Sequence, residues 1–340
     1  MRIMKTVNLN QRYLMIETLS QFIKQQYPLY EALLMCYQLF KEPSLLKLLD
    51  ELKQGKAIEE KSDLLYNDPL FIEFFTFYLY RDTLDQALIK AIDLCQQKDA
   101  LKQEIIKAFI YPTCLLGGVI SFSFIAVFYL QPQFKQFFSS FDIHFSPIQQ
   151  GLMQLLFAFP FLLCFIFIVT GGIIVWFIKQ LNGGNFKELE KWFHYWPFGR
   201  VLKKYFSIKF CLYYKEFVYL GYDLHTILDM ISQRIKDPHL QMMAFEFIEK
   251  VKTGTELMEI ADSFSYFDPY FKLVFKLSLS RPSPFSLFEQ YYETSILLVK
   301  TTVRKVIQSI LPILYGFIGI YIVGIYSGML LPMMNMLDKI

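Results

Sequence analysis

The residues from which chemistry would have to be built are four histidines, five cysteines and one phrase resembling a phosphate loop. His144, His194, His225 and His239 fall at unrelated spacings. There is no His-Glu-x-x-His pattern and no second nitrogen or sulfur ligand at the intervals a zinc site needs. Cys36, Cys95, Cys114, Cys164 and Cys211 form no paired framework and read as buried apolar side chains. TGTEL, Thr253–Leu257, lacks the Gly-Lys-Ser/Thr ending of a phosphate loop and stands in a helical pattern, so it reads as a turn. Glu59, Glu60, Asp82, Asp85, Glu289 and Glu293 read as solvated faces, some of them open to a partner. No catalytic residue, no cofactor site and no metal site is expected.

The stretches between these residues are more informative. Of 340 residues, 54% are apolar and 19% charged, against about a quarter charged in an ordinary soluble domain. No Asp, Glu, Lys or Arg occurs from Ala108 to Phe134, from Ile143 to Ile178, or from Val306 to Leu337. Each gap exceeds the roughly 20 apolar residues that cross a bilayer. The expectation is an all-α polytopic membrane protein with three transmembrane helices, at 110–131, 153–177 and 308–331. A helical domain at 1–109 precedes the first span and another at 178–307 precedes the third; 132–152 forms an external loop and 332–340 an external tail. The N-terminus has no continuous apolar core before Glu17 and does not read as a secretion signal.

Lys and Arg number 14 before the first span and 18 between Lys179 and Lys305, with only Lys135 and Lys339 elsewhere. Positive charge stays on the cytoplasmic side, so both large segments are expected there and the C-terminus outside, in a cell membrane. Trp176, Trp192 and Trp196 fall near the inner boundary of the second span, where indole rings anchor, or pack in the domain. A net charge of +3 with interspersed acids gives no stripe for nucleic acid. The spans carry no ionisable side chain, which disfavours the alternative of a transporter or channel subunit. They do carry glycines, among them Gly324 and Gly328 at the spacing that lets helices approach closely.

The chain also reads as an internal duplication. Gln21–Leu34 aligns with Glu216–Asp229 at an offset of 195, bringing Phe22 onto Phe217 and Tyr27 onto Tyr222. Gly55 falls on Gly254 at 199; Asp68-Pro69 falls on Asp268-Pro269 and Pro112 on Pro312 at 200. Asp-Pro is a helix start, the aspartate capping and the proline fitting the first helical position. Leu84, Ala87, Leu88 and Ala91 then trace one helix face, and nothing before Leu130 stops that helix. Phe285, Phe288, Tyr292 and Ile296 do the same in the second copy.

Four phrases carry a resemblance: AFIYPTCLL with Tyr111 and Pro112, FIKQQYPLYEALL, its echo FVYLGYDLHTILD, and GIYSGMLLPMMNML. With three spans and two related helical domains, the chain resembles the F-family inner-membrane platform proteins of type II secretion and type IV pilus machines. Its length is similar to that of the short Gram-positive members serving competence pili. The resemblance implies a non-enzymatic platform that couples a cytoplasmic hexameric assembly ATPase to pilin or pseudopilin transmembrane helices, surrounded by lipid and forming a homo-oligomer. The family's Gly-Glu-x-x-Gly motif is absent from both Leu79–Leu88 and Ser278–Leu287, so no cation site is carried over.

Overall fold

Asp-Pro steps start three of the helices in the computed structural model, which describes residues 2–140, 147–182 and 198–337. Asp68 Oδ1 accepts the Leu70 N–H at 2.9 Å, Asp268 Oδ1 accepts that of Phe271 at 2.6 Å, and Asp237 Oδ1 accepts those of His239 and Leu240 at 3.1 Å. Each satisfies donors that a helix N-terminus leaves open, and the following proline has no N–H to satisfy.

The helices are α1 Arg2–Lys24, α2 Leu29–Phe40, α3 Pro43–Lys53, α4 Ser62–Leu65, α5 Pro69–Leu79 and α6 Leu84–Ile125, with a 3₁₀ turn at Ile58–Lys61 before α4. A wider π turn, Ala126–Leu130, extends α6 into α7 Gln131–Ser140, so part of the expected external loop is helical. Then come α8 Pro147–Asn182, α9 Phe198–Tyr219, α10 Leu224–Arg234, α11 Pro238–Lys252, α12 Leu257–Ser263, α13 Pro269–Leu279 and α14 Phe285–Leu337. Among the described residues there is no strand. His144, Trp192, His194 and Trp196 lie outside them.

The described residues fall in two units, one drawn from Met1–Gln103 and Glu190–Ser295, the other from Glu104–Leu189 and Ile296–Ile340. The first unit holds two helical lobes. Ala87, Leu88 and Ala91 of α6 are buried in the first lobe; Phe288 and Tyr291 of α14 are buried in the second. Turn chemistry is shared between the lobes. After α1, Gln26 takes φ +67° and the Tyr27 N–H reaches the Phe22 carbonyl at 3.2 Å; after α9, Gly221 takes φ +84° and the Tyr222 N–H reaches Phe217 at 3.2 Å. Both are left-handed helix ends closed by an aromatic contact, Phe22 with Tyr27 and Phe217 with Tyr222. Gly55 at +82° and Gly254 at +78° end α3 and α11 in the same manner.

Two helical stretches, Leu84–Leu130 and Phe285–Ser327, are long and apolar enough to cross a membrane, and each begins in the first unit and ends in the second. Phe122, Phe128, Ile313, Phe317, Ile320 and Val323 are exposed on them, as side chains facing lipid would be. Helix α8 covers the remaining expected span, and its described apolar run, Phe157–Ile173, is shorter. Cys36, Cys95 and Cys211 are buried, but Cys114 is exposed and Cys164 half-buried. The expectation of burial fails for these two because each lies on an apolar helix, whose outer face lipid rather than protein can cover.

Candidate functional site

Helix α5 reads PLFIEFFTFYL, an apolar segment with one acid, Glu73, at its centre. An ionised carboxylate in such a helix is tolerated only with partners, and α9 supplies one. Tyr213 donates its hydroxyl to Glu73 Oε2 at 2.8 Å, and the Lys236 N–H donates to Oε1 at 2.9 Å. The converse bond runs from Tyr78 of α5 to Glu216 of α9 at 2.6 Å, and Lys215 pairs with Glu216 at 2.8 Å. Each lobe therefore contributes one acid and one phenol to a reciprocal clasp. Burial raises the Glu73 carboxyl above its ordinary range, against the lowering effect of its two donors. Burial likewise holds the Tyr78 and Tyr213 phenols protonated, so both remain donors.

Rings pack around the clasp. Phe74 lies 4.9 Å from Tyr213 and Phe77 lies 4.8 Å from Phe217, centroid to centroid. At the edge, Arg81 donates to the Tyr219 carbonyl; Lys90 donates to the Tyr219 hydroxyl at 3.0 Å and pairs with Asp82 at 2.7 Å. The clasp is buried and occupied by its own partners, and what it can do is hold the lobes in register. Sequence reading passed over Glu73, Tyr78, Tyr213 and Glu216. The available signal was a single acid within a helix otherwise free of charge.

In the second unit, Tyr111 and Pro112 lie inside α6, and Pro312, Gly324 and Gly328 lie inside α14. The Tyr111 and Tyr315 hydroxyls meet at 2.5 Å, and Glu104 holds both Lys300, at 2.9 Å, and Arg304, at 2.5 Å. Glu104 and Arg304 are equivalent positions in the 200-residue register. Phe159 of α8 stacks on Tyr321 of α14 at 4.8 Å. A Cβ added at Gly117, Gly118, Gly171, Gly172, Gly316 or Gly319 would meet nothing within 4 Å, so among the described residues no helix closes on these glycines. Gly324 is half-buried.

Asp68 and Asp268 remain with their own lobes. Asp68 pairs with Lys98 at 2.5 Å; the buried Asp268 accepts the Tyr291 hydroxyl at 2.8 Å, and its N–H donates to Ser207 Oγ at 2.7 Å. The first lobe has an open groove of about 500 Å³, lined by Tyr13, Glu17, Gln96 and Asp99 among others. No group of three His, Cys, Asp or Glu residues among the described ones is disposed to hold a metal ion.

No protein-family model matches this chain. Among curated proteins, it is similar to ComG operon protein 2 of Bacillus subtilis (strain 168), with 22% identity over 263 residues covering 75% of this chain and 80% of that protein. The likeness is distant but runs over most of both chains, and two helical stretches of this chain are apolar and long enough to cross a membrane.

Proposed function

We propose that this chain is the membrane platform of a type IV pilus-like machine of the competence group, coupling a cytoplasmic assembly ATPase to the insertion of pilin subunits for DNA uptake. The observation that carries the reading is helix α6. One unbroken helix holds Ala87, Leu88 and Ala91 in a lobe core and continues through an apolar run that the π turn extends to Leu130. Helix α14 does the same from Phe288 onward. A helix that begins in a lobe core and ends in an apolar run joins the two in one element, as coupling a motor to a membrane helix requires. The distant likeness to ComG operon protein 2 supports the competence end of the family resemblance.

In this reading the chain is two copies of a lobe followed by a span, with α8 as the third span. The matching turns at Gln26 and Gly221 and the matching caps at Asp68 and Asp268 support the duplication. Both lobes face the cytoplasm and meet the ATPase, and the C-terminus lies outside. The charge-free spans accommodate a pilin helix, with Gly324 and Gly328 as a close-approach face.

The test is capture of the tagged full-length chain from its own membranes in mild detergent, beside deletion of its gene. The expected result is co-purification of a hexameric ATPase and pilin, and loss of fibres and DNA uptake on deletion. Capture of neither partner together with normal fibres in the deletion strain removes the reading.

A further inference from the structure

Helices α5 and α13 have the same Asp-Pro start and the same length of 11 residues, 200 positions apart, yet their outer faces differ. In α5, Glu73 and Phe77 are 7% and 4% exposed, covered by Tyr213 and Phe217 of α9. Their equivalents in α13, Leu273 and Leu277, are 54% and 48% exposed, and Tyr270 beside them is 37% exposed. Arg281, the equivalent of Arg81, is exposed as well. The other side of the seam repeats at the 195-residue offset. Tyr213 and Phe217 correspond to Thr18 and Phe22 on α1, which are half-buried; Gln21 and Gln25 are exposed where Glu216 and Leu220 are buried. The chain thus carries one completed seam, an open copy of one face on α13 and a partly covered copy of the other on α1.

We propose that a second copy of this chain completes it, with α1 of one copy lying on α13 of the next as α9 lies on α5 within one. Residue chemistry on the two faces changes together. The Glu73–Tyr213 pair becomes Leu273 opposite Thr18, and the Tyr78–Glu216 pair has no successor: Ser278 is buried in its own lobe and donates to the Phe275 carbonyl at 2.6 Å, while Gln21 is exposed. Both buried acids are lost along with both phenols that served them, so the second seam buries no carboxylate; its cations, Arg281 and Lys24, lie at the exposed edge. Leu277 meets Phe22 as Phe77 meets Phe217, and Arg281 reaches the Lys24 carbonyl as Arg81 reaches that of Tyr219. An unrelated partner on α13 would give no reason for α1 to change in step. The contact is head-to-tail, so it closes as a ring or continues from copy to copy. The family resemblance implies association of copies; what is assigned here is the pair of faces that would make it, and that assignment rests on the equivalence of the two lobes.

Both chains are held in the membrane in this reading, so cross-linking there is the suitable measurement. Two differently tagged full-length chains are co-expressed, one with Lys24→Cys and the other with Arg281→Cys, both exposed positions, in a background where Cys114 and Cys164 are replaced by serine. A short bis-maleimide should give a product carrying both tags only when both new cysteines are present. Adding Leu277→Glu to the Arg281→Cys chain should lower its yield about tenfold. A chain carrying both Arg81→Cys and Tyr219→Cys, at the edge of the completed seam, serves as the internal control. If the internal link forms and the inter-copy product does not, the lobes stand and the docking proposal falls. If the internal link fails, the seam falls and the proposal with it. Linking of Arg281→Cys to its own kind, or its protection by a different protein, likewise overturns the proposal.

Discussion

Gln26 and Gly221 close the same turn with different side chains. A residue with a Cβ in the left-handed region carries a penalty of roughly 1–2 kcal/mol that glycine escapes, and Gln26 bears it at φ +67°. Glycine there gives back some stability by enlarging the freedom of the unfolded chain, so the net effect is smaller. Gln26→Gly should raise the thermal midpoint of the solubilised chain, by about 1 kcal/mol of stability at most. Gly221→Ala should lower it by about 1 kcal/mol: a Cβ at Gly221 meets only Arg81 Nη1 at 3.6 Å, so backbone strain rather than a clash decides the result. A midpoint unchanged in both variants would mean that these turns do not hold the left-handed conformation.

At the scale of elements, the α5–α9 seam determines how the lobes respond to pH. Burial raises the Glu73 carboxyl above its ordinary value of about 4.5. Between that value and the raised one, the folded chain holds a proton that the unfolded chain has released. The Glu73 contribution is therefore fully present below about 4.5 and is lost as pH rises through the raised value. The other groups at the seam are Lys236 and Asp237 beside Glu73, and Lys215 with Glu216 across from Tyr78. Glu73→Gln keeps a carbonyl oxygen for the Lys236 N–H, and the Tyr213 hydroxyl can turn to accept from the new amide. In a denaturant titration repeated across this range, the variant should lose the Glu73 part of the slope and match or exceed the parent near neutrality. An unchanged slope would show that the carboxyl is ionised and solvated in the folded chain.

For the whole molecule, the platform reading requires both lobes on one side of the bilayer. Lys56 and Thr255 follow the equivalent turns at Gly55 and Gly254, where Lys56 is half-buried and Thr255 exposed. Cysteines placed at these two positions should both resist a membrane-impermeant maleimide in intact cells and both react once the cells are opened. Labelling of either one in intact cells would break the positive-inside assignment, and with it the shared compartment for the motor.

Properties set by local composition and short spacing were legible in the sequence. The helical class followed from periodicity, the apolar runs from their lack of charge, and the starts of α5 and α13 from Asp-Pro, because each depends on residues a few positions apart. The turns at Gly55 and Gly254 followed in the same way, since only a residue without a Cβ takes that backbone freely. Tertiary structure alone decided which of two equivalent faces is covered. Glu73 and Leu273 occupy the same place in their helices, yet one is clasped by a tyrosine 140 residues away and the other is open. The pairing of Tyr111 with Tyr315 is of the same kind. Contacts between such distant residues depend on how whole helices pack, and no pattern local to either strand of sequence records that.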